Sequence, residues 1–511
     1  MTNRLLAPAL LLLVAAPAFS QSIPERPEAL KFPEFSFTAP LAKDFKSTLK
    51  AGPAVFLAED RELPLVTVAV TLKGGTYLDP KGKEGLSSLV GYLLTKGGTK
   101  SRKARDLDEE LAFLAANLNS SIDDDRGGVT INFMSKDMDT AFMLLREVLT
   151  EPAFEEEKLK LRKDQLLSDM KSRNDDSAAI EARERNVIAY GADFYLNRFT
   201  TKASIESLTR EDLVAFHAKW FDPRNMMVAV SGDFAKADML KRLEALFSKW
   251  PVKGELAPGV PKPSHKLVPG SYIVDKDVNQ GRVTILLPGL DRNDPDVFAA
   301  AVMNQVLGGG GFTSRITNRV RSDEGLAYSA GSVLPQGAWY PQPMAAFFQS
   351  KVRTVAFASQ IVLEEMKKMK DGEVTAEELK TVKTNLLETF PRRFATKQQI
   401  VGTFLDEEFT GRAKTDPLYY TNWRGNVEKV TTADVKRTAA RLLAPDAVTL
   451  VVVGKKADIL NPDPKHPVAL ASLTGGKLTE VPLRDPFTML PMAPAPSAPP
   501  PPPTVSNPTP R

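Results

Sequence analysis

The chain contains no cysteine and only three histidines in 511 residues. The first absence excludes disulfides, thiolate metal sites and a lipidated cysteine. The second leaves His217, His265 and His466 far apart, with neither H-x-x-x-H nor H-x-x-E-H spacing, so no histidine pair is offered to zinc. No G-x-S-x-G elbow occurs, and a serine triad would have to draw on one of those isolated histidines. His217, inside EDLVAFHAKWFDP, reads as a packing or capping residue of a helix that precedes a strand. Charge of one sign is also scarce: 67 basic residues face 63 acidic ones, net +4, with no long basic block to track a phosphate backbone. Nucleic acid is excluded as the expected partner.

Long apolar runs are missing except at the start. Met1-Thr2-Asn3-Arg4 precedes an apolar run from Leu5 to Ala16, and Ala18-Phe19-Ser20 stands before Gln21. A charged region, a short apolar region and a small-x-small site predict a signal peptide over residues 1–20 and a periplasmic location. The run is shorter than the ~20 residues that cross a bilayer. Pro8 and Pro17 interrupt it, and no span is expected after its removal. At the far end, residues 491–511 read PMAPAPSAPPPPPTVSNPTPR, which predicts an extended, disordered tail.

Between these ends, strands and helices alternate. Val66, Val68, Val70 and Leu72 repeat with period two, as do Val129, Ile131 and Phe133. Leu107, Leu111, Leu114 and Leu118 fall on one helical face, and so do Met138, Phe142, Leu145 and Leu149, before Pro152. The expected class is α+β, with sheets covered on one side by helices.

An internal repeat organises the chain. Ile205-Glu206-Ser207-Leu208-Thr209 matches Val427-Glu428-Lys429-Val430-Thr431, and Val228-Ala229-Val230-Ser231-Gly232 matches Leu450-Val451-Val452-Val453-Gly454, both at an offset of 222. Two homologous lobes are therefore expected, each of two related subdomains with a mainly antiparallel sheet. The expected boundaries are an N-terminal extension over 21–50, a first lobe over 51–252 and a proline-rich linker over 253–268. A second lobe follows over 269–465, then a C-terminal extension over 466–490 before the tail at 491–511.

Two segments carry a family resemblance. Glu84 to Thr99 reads EGLSSLVGYLLTKGGT, and Leu307 to Ser329 reads LGGGGFTSRITNRVRSDEGLAYS. The first resembles the active-site helix of the pitrilysin/insulinase family, G-L-A-H-x-x-E-H-x-x-x-K-G-T, in which two His bind zinc and the Glu activates water. Gly85, Leu86, Lys96, Gly97 and Thr99 keep that frame, but Ser88 and Tyr92 stand at the His positions and Gly91 at the Glu position. Asp169, 77 residues beyond Tyr92, stands where the family places a Glu ligand, and alone it reads as a solvated helix carboxylate.

The second segment resembles the family's C-terminal motif, a glycine-rich turn, then S-R-L and R-x-x-x-G-L-A-Y-S. Arg321 and Tyr328 match its Arg/Tyr pair. The resemblance implies that the pair reaches into a partner's cleft and holds substrate backbone near the partner's zinc. A guanidinium and a phenol are rigid donors suited to that task without titrating near neutrality. The alternative is a pairing of Arg321 with Asp323 or Glu324 and a half-buried Tyr328. Gly308, Gly309, Gly310 and Gly311 form either a bare turn or a mobile loop that guides peptide. Arg315 reads as a structural salt bridge.

The resemblance, with these departures from it, implies a zinc-less, non-catalytic subunit of a heteromeric zinc peptidase. It binds no cofactor itself, and its expected partner is a homologous H-x-x-E-H-bearing subunit that carries the zinc and acts on peptides. Two alternatives stand beside it: a peptide-binding or scaffolding pseudopeptidase with no catalytic partner, and an autonomous hydrolase with an unrecognised site.

Overall fold

The computed structural model of the chain describes residues 26, 30, 36–50, 52–248, 250–251 and 253–493. The expected signal peptide lies outside the described residues, as does the expected tail apart from 491–493. The chain divides into residues Met1–Thr38 and a compact unit, Ala39–Arg511, which holds both lobes.

The first lobe contains one six-stranded sheet. Its strands are β1 (Lys46–Thr48), β2 (Ala54–Glu59), β3 (Leu65–Lys73), β4 (Asn117–Ile122), β5 (Arg126–Met134) and β6 (Met226–Gly232), in the order β1-β2-β6-β3-β5-β4. The second lobe holds β7 (Gly270–Asp275), β8 (Gln280–Asp291), β9 (Ala327–Val333), β10 (Gln336–Gly337), β11 (Gln342–Lys351), β12 (Thr449–Gly454) and β13 (Leu478–Glu480). Their order is β13-β7-β12-β8-β11-β9, with β10 on β8. In both lobes the third strand of the order is parallel to the second and antiparallel to the fourth. The segments ending at Gly232 and Gly454 therefore occupy the same place, as the sequence repeat requires.

The α+β class and the mainly antiparallel pairing match the sequence reading, with two corrections. The first is that the sheets are not covered on one face alone. Period two holds in β3, whose Val66, Val68 and Val70 lie opposite Phe133, Ile131 and Val129 of β5. By contrast β6 and β12 are buried along almost their whole length. The cause is an exchange of helices between lobes: Ser177–Tyr190 of the first packs on β8 and β12 of the second, and Lys397–Phe409 of the second packs on β2 and β6 of the first. Strands covered on both faces read as continuous apolar runs, here MMVAVSG and TLVVVG. Ala189, Leu286, Ala345 and Val451 form part of this seam, and Ile180, Val274 and Val453 another. A fully buried Val or Leu is worth about 1.5–3 kcal/mol, so the seam is a substantial share of lobe docking.

The second correction concerns Leu118. The helix Ala104–Phe113 stops before it, Ala115 turns with φ 50°, and Leu118 points inward from β4. Asn117, Asn119 and Ser120 are poor helix formers and tip that segment to strand.

The C-terminal extension ties the lobes together. β13 adds to β7, Val481 and Leu483 pack beside Ile180, and the Phe487 carbonyl accepts from Lys202 N at 2.8 Å. Between them Glu184, 1% exposed, takes Arg183 at 2.9 Å and Arg484 at 3.0 Å.

Candidate functional site

The motif helix of the first lobe, Leu86–Lys96, begins at Gly85, whose φ of 100° is left-handed. Asp79 holds this start, its carboxylate accepting from Gly85 N at 2.9 Å and Ser87 N at 2.8 Å. Burial pushes the Asp79 carboxyl up to about 6, against the pull of those backbone donors. The helix turns Ser88 and Tyr92 outward on one face, one turn apart, and turns Gly91 inward. A Cβ at Gly91 would stand 2.3 Å from Ile122 N and 2.7 Å from Ser121 C of β4. Ser120 Oγ donates to the Gly91 carbonyl at 2.5 Å and lies 3.0 Å from Thr95 Oγ1. The helix is thus fastened to the edge strand at the position where a Glu would have to stand.

Facing Tyr92 is Arg162 of helix Glu156–Met170, its guanidinium 4.4 Å from the ring centroid. The expected ligand position, Asp169, is exposed two turns further along the same helix. A hydroxyl, a phenol beneath a fixed cation and a glycine with no room for a side chain do not fit zinc. Among the described residues no three His, Cys, Asp or Glu side chains gather as a metal site. His217 packs: Nε2 lies 2.9 Å from the Leu149 carbonyl, the ring stacks on Phe221, and burial pushes it down to about 4.

The second lobe repeats the helix–edge contact. A Cβ at Gly308 would stand 2.4 Å from Ser332 N of the edge strand β9. The first glycine of the run is therefore a packing position, whereas Gly311 turns with φ 60° and carries Phe312 outward. A π-helical turn over Gln305–Gly309 takes in the first two glycines of the run, and a second spans Asn318–Asp323. The second bears Arg321, and β9 bears Tyr328, 85% exposed. The Arg321 guanidinium lies 4.7 Å from the Tyr328 ring centroid and 4.5 Å from that of Phe312, itself 66% exposed. The carboxylates that were candidates to neutralise Arg321 belong to Arg319, which lies 3.5 Å from Asp323 and 3.6 Å from Glu324. Among the described residues no hydrogen bond or ion pair engages the Arg321 or Tyr328 side chain. Arg315 pairs with Glu378 through two bonds of 2.7 and 2.8 Å. Sequence reasoning missed Phe312 and Arg162. An aromatic directly after a glycine run was the signal for the first, and the second left none.

Duplicated α+β lobes with a motif helix that carries Ser88, Gly91 and Tyr92 at the ligand and Glu positions define a two-lobe class related to zinc peptidases. The chain belongs to the insulinase family, peptidase family M16. Residues 54–193 match the domain described as Insulinase (Peptidase family M16), and residues 207–386 the one described as Peptidase M16 inactive domain. A protein of Helicobacter pylori named "Non-peptidase homolog YmxG" is 26% identical over 364 residues, 71% of this chain and 83% of that one. The "Probable mitochondrial-processing peptidase subunit beta" of Schizosaccharomyces pombe is 24% identical over 275 residues, 53% of this chain and 60% of that one. A solved M16 inactive-domain structure from Pseudomonas fluorescens has the same fold, with TM-score 0.71 at 22% identity, over 80% of this chain and 98% of that one.

Proposed function

We propose that the chain is the non-catalytic subunit of a heteromeric zinc peptidase, bringing Arg321 and Tyr328 to a homologous partner that carries H-x-x-E-H and the zinc. The chain fits an inactive M16-like protein. The observation that carries the subunit reading is the contact of Arg321 with the exposed Tyr328 and Phe312 rings, left free of the carboxylates that Arg319 takes. Ring contact uses the guanidinium's face and leaves its in-plane N–H groups to donate to a peptide carbonyl or a developing oxyanion, with the phenol as a second donor. Export to a periplasm, lobe limits at 51–252 and 269–465, and peptides as substrates belong to this reading.

The test is reconstitution. The chain is co-expressed with an exported homologue bearing H-x-x-E-H, and peptide cleavage is compared for each protein alone and for the pair. Activity in the pair alone supports the reading. A pair that never forms, or a partner fully active by itself, refutes it. The H. pylori relative's name, a non-peptidase homologue, favours the second reading, a peptide-binding scaffold with no catalytic partner, and that outcome would select it.

A further inference from the structure

The first lobe lays Arg162 over Tyr92, which stands at one of the family's metal-ligand positions. We propose that Ser88, Tyr92 and Arg162 form a binding site for a peptide carboxylate. This goes beyond the preceding reading and needs no catalytic partner.

Arg162 lies against the motif helix and has no acid partner among the described residues. Along helix Glu156–Met170, Lys160 takes Asp164 at 3.3 Å, and Lys163 donates to the carbonyls of Glu206 and Leu208 at 3.0 and 2.9 Å. Arg162, between them, gives one bond from Nη1 to Gln165 Oε1 at 3.2 Å and pairs with no carboxylate among the described residues. The positions three and four residues either side of Arg162 are Lys158, Leu159, Gln165 and Leu166, so no acid of this helix adjoins it on its face. The Tyr92 ring, 36% exposed, supports the guanidinium and limits the entropy lost when it binds. Ser88, exposed one turn earlier, and the Tyr92 hydroxyl add neutral donors on the same face. Gly91 fixes that face by locking the helix to β4. A fixed cation with in-plane donors and adjacent hydroxyls matches a carboxylate in charge and geometry. A chain terminus and an Asp or Glu side chain both offer this group, and the test separates the two.

The test uses the full chain and a short, unstructured alanine–serine peptide with an N-terminal fluorophore. The peptide is made with a free C-terminal acid, with a C-terminal amide, and as the amide with one internal Glu. Anisotropy titrations at low salt should show the acid binding about tenfold tighter than the plain amide, the gain expected of one exposed charge-assisted pair. Arg162→Gln should abolish the difference. Tyr92→Leu should shrink it, and Tyr92→Phe, which keeps the ring, should retain most of it. Tight binding of the internal-Glu amide identifies a side-chain source, and its failure beside a tight acid identifies the terminus; both support the site. Equal binding of acid and amide, no binding of any form, or a difference that survives Arg162→Gln overturns it. If the difference is instead lost in Arg321→Gln, the carboxylate belongs to the second lobe, and the preceding reading stands while this one falls. Thermal unfolding of each variant confirms the fold.

Discussion

Substituting Gly91 by alanine tests whether the motif helix has lost the space a catalytic Glu would need. Three effects compete. The added Cβ meets backbone atoms of β4 at 2.3 and 2.7 Å, which a rotamer change cannot relieve, so the helix must shift. Overpacking of this kind costs about 1–3 kcal/mol. The shift also strains the Ser120 bond to the Gly91 carbonyl and the Thr95–Ser120 contact, each worth about 1 kcal/mol. Alanine's helix propensity returns about 1 kcal/mol. Packing wins, and the expected net loss is about 2–3 kcal/mol. Urea unfolding followed by tryptophan fluorescence, with Trp220 and Trp250 in the first lobe, should show a lower midpoint at unchanged slope. The full restoration, Ser88→His with Gly91→Glu and Tyr92→His, should destabilise more and still hold no stoichiometric zinc after dialysis. An alanine variant as stable as wild type, or a restored variant with one zinc per chain at wild-type stability, would refute the steric argument.

Two further predictions concern buried charge. Glu184→Ala strands Arg183 and Arg484 and should cost about 3–5 kcal/mol, read as a lowered unfolding midpoint; a change below 1 kcal/mol would mean water already compensates them. His217 stays neutral when folded, because burial pushes it down to about 4, while an unfolded histidine protonates near 6.5. Its contribution is complete above about pH 6.5 and is lost as pH falls towards 4, about 3 kcal/mol in all. Asp79, pushed up to about 6, adds stability as pH falls across the same window, so His217→Gln should flatten the acid loss relative to wild type. Parallel stability–pH curves for the two proteins would contradict the assignment.

Much of the fold was legible. The alternation in β3 and β5 fixed half-buried strands, and the repeat at Gly232 and Gly454 fixed two equivalent lobes. What periodicity could not convey was the exchange of helices Ser177–Tyr190 and Lys397–Phe409, because an apolar run says that a strand is buried on both faces and not by which element. At the site, the loss of ligands at Ser88, Gly91 and Tyr92 was plain from residue type. The contact of Gly91 with β4 and the approach of Arg162 to Tyr92 join residues distant in sequence and have no local signature. Phe312 differs: it lies beside the residues already singled out, and its exposure on the glycine turn brings it to Arg321.

The central claim is that Arg321 and Tyr328 act on a partner's substrate. The direct measurement is peptide turnover by the complex carrying Arg321→Ala or Tyr328→Phe, at equal complex concentration, with assembly followed by gel filtration. Tyr328 is exposed and Arg321 half-buried outside the core, so no core volume is removed and assembly should be unchanged. Loss of one such donor should lower kcat on the order of 10²-fold. Turnover equal to wild type in both variants would contradict the account and leave the scaffold reading in its place.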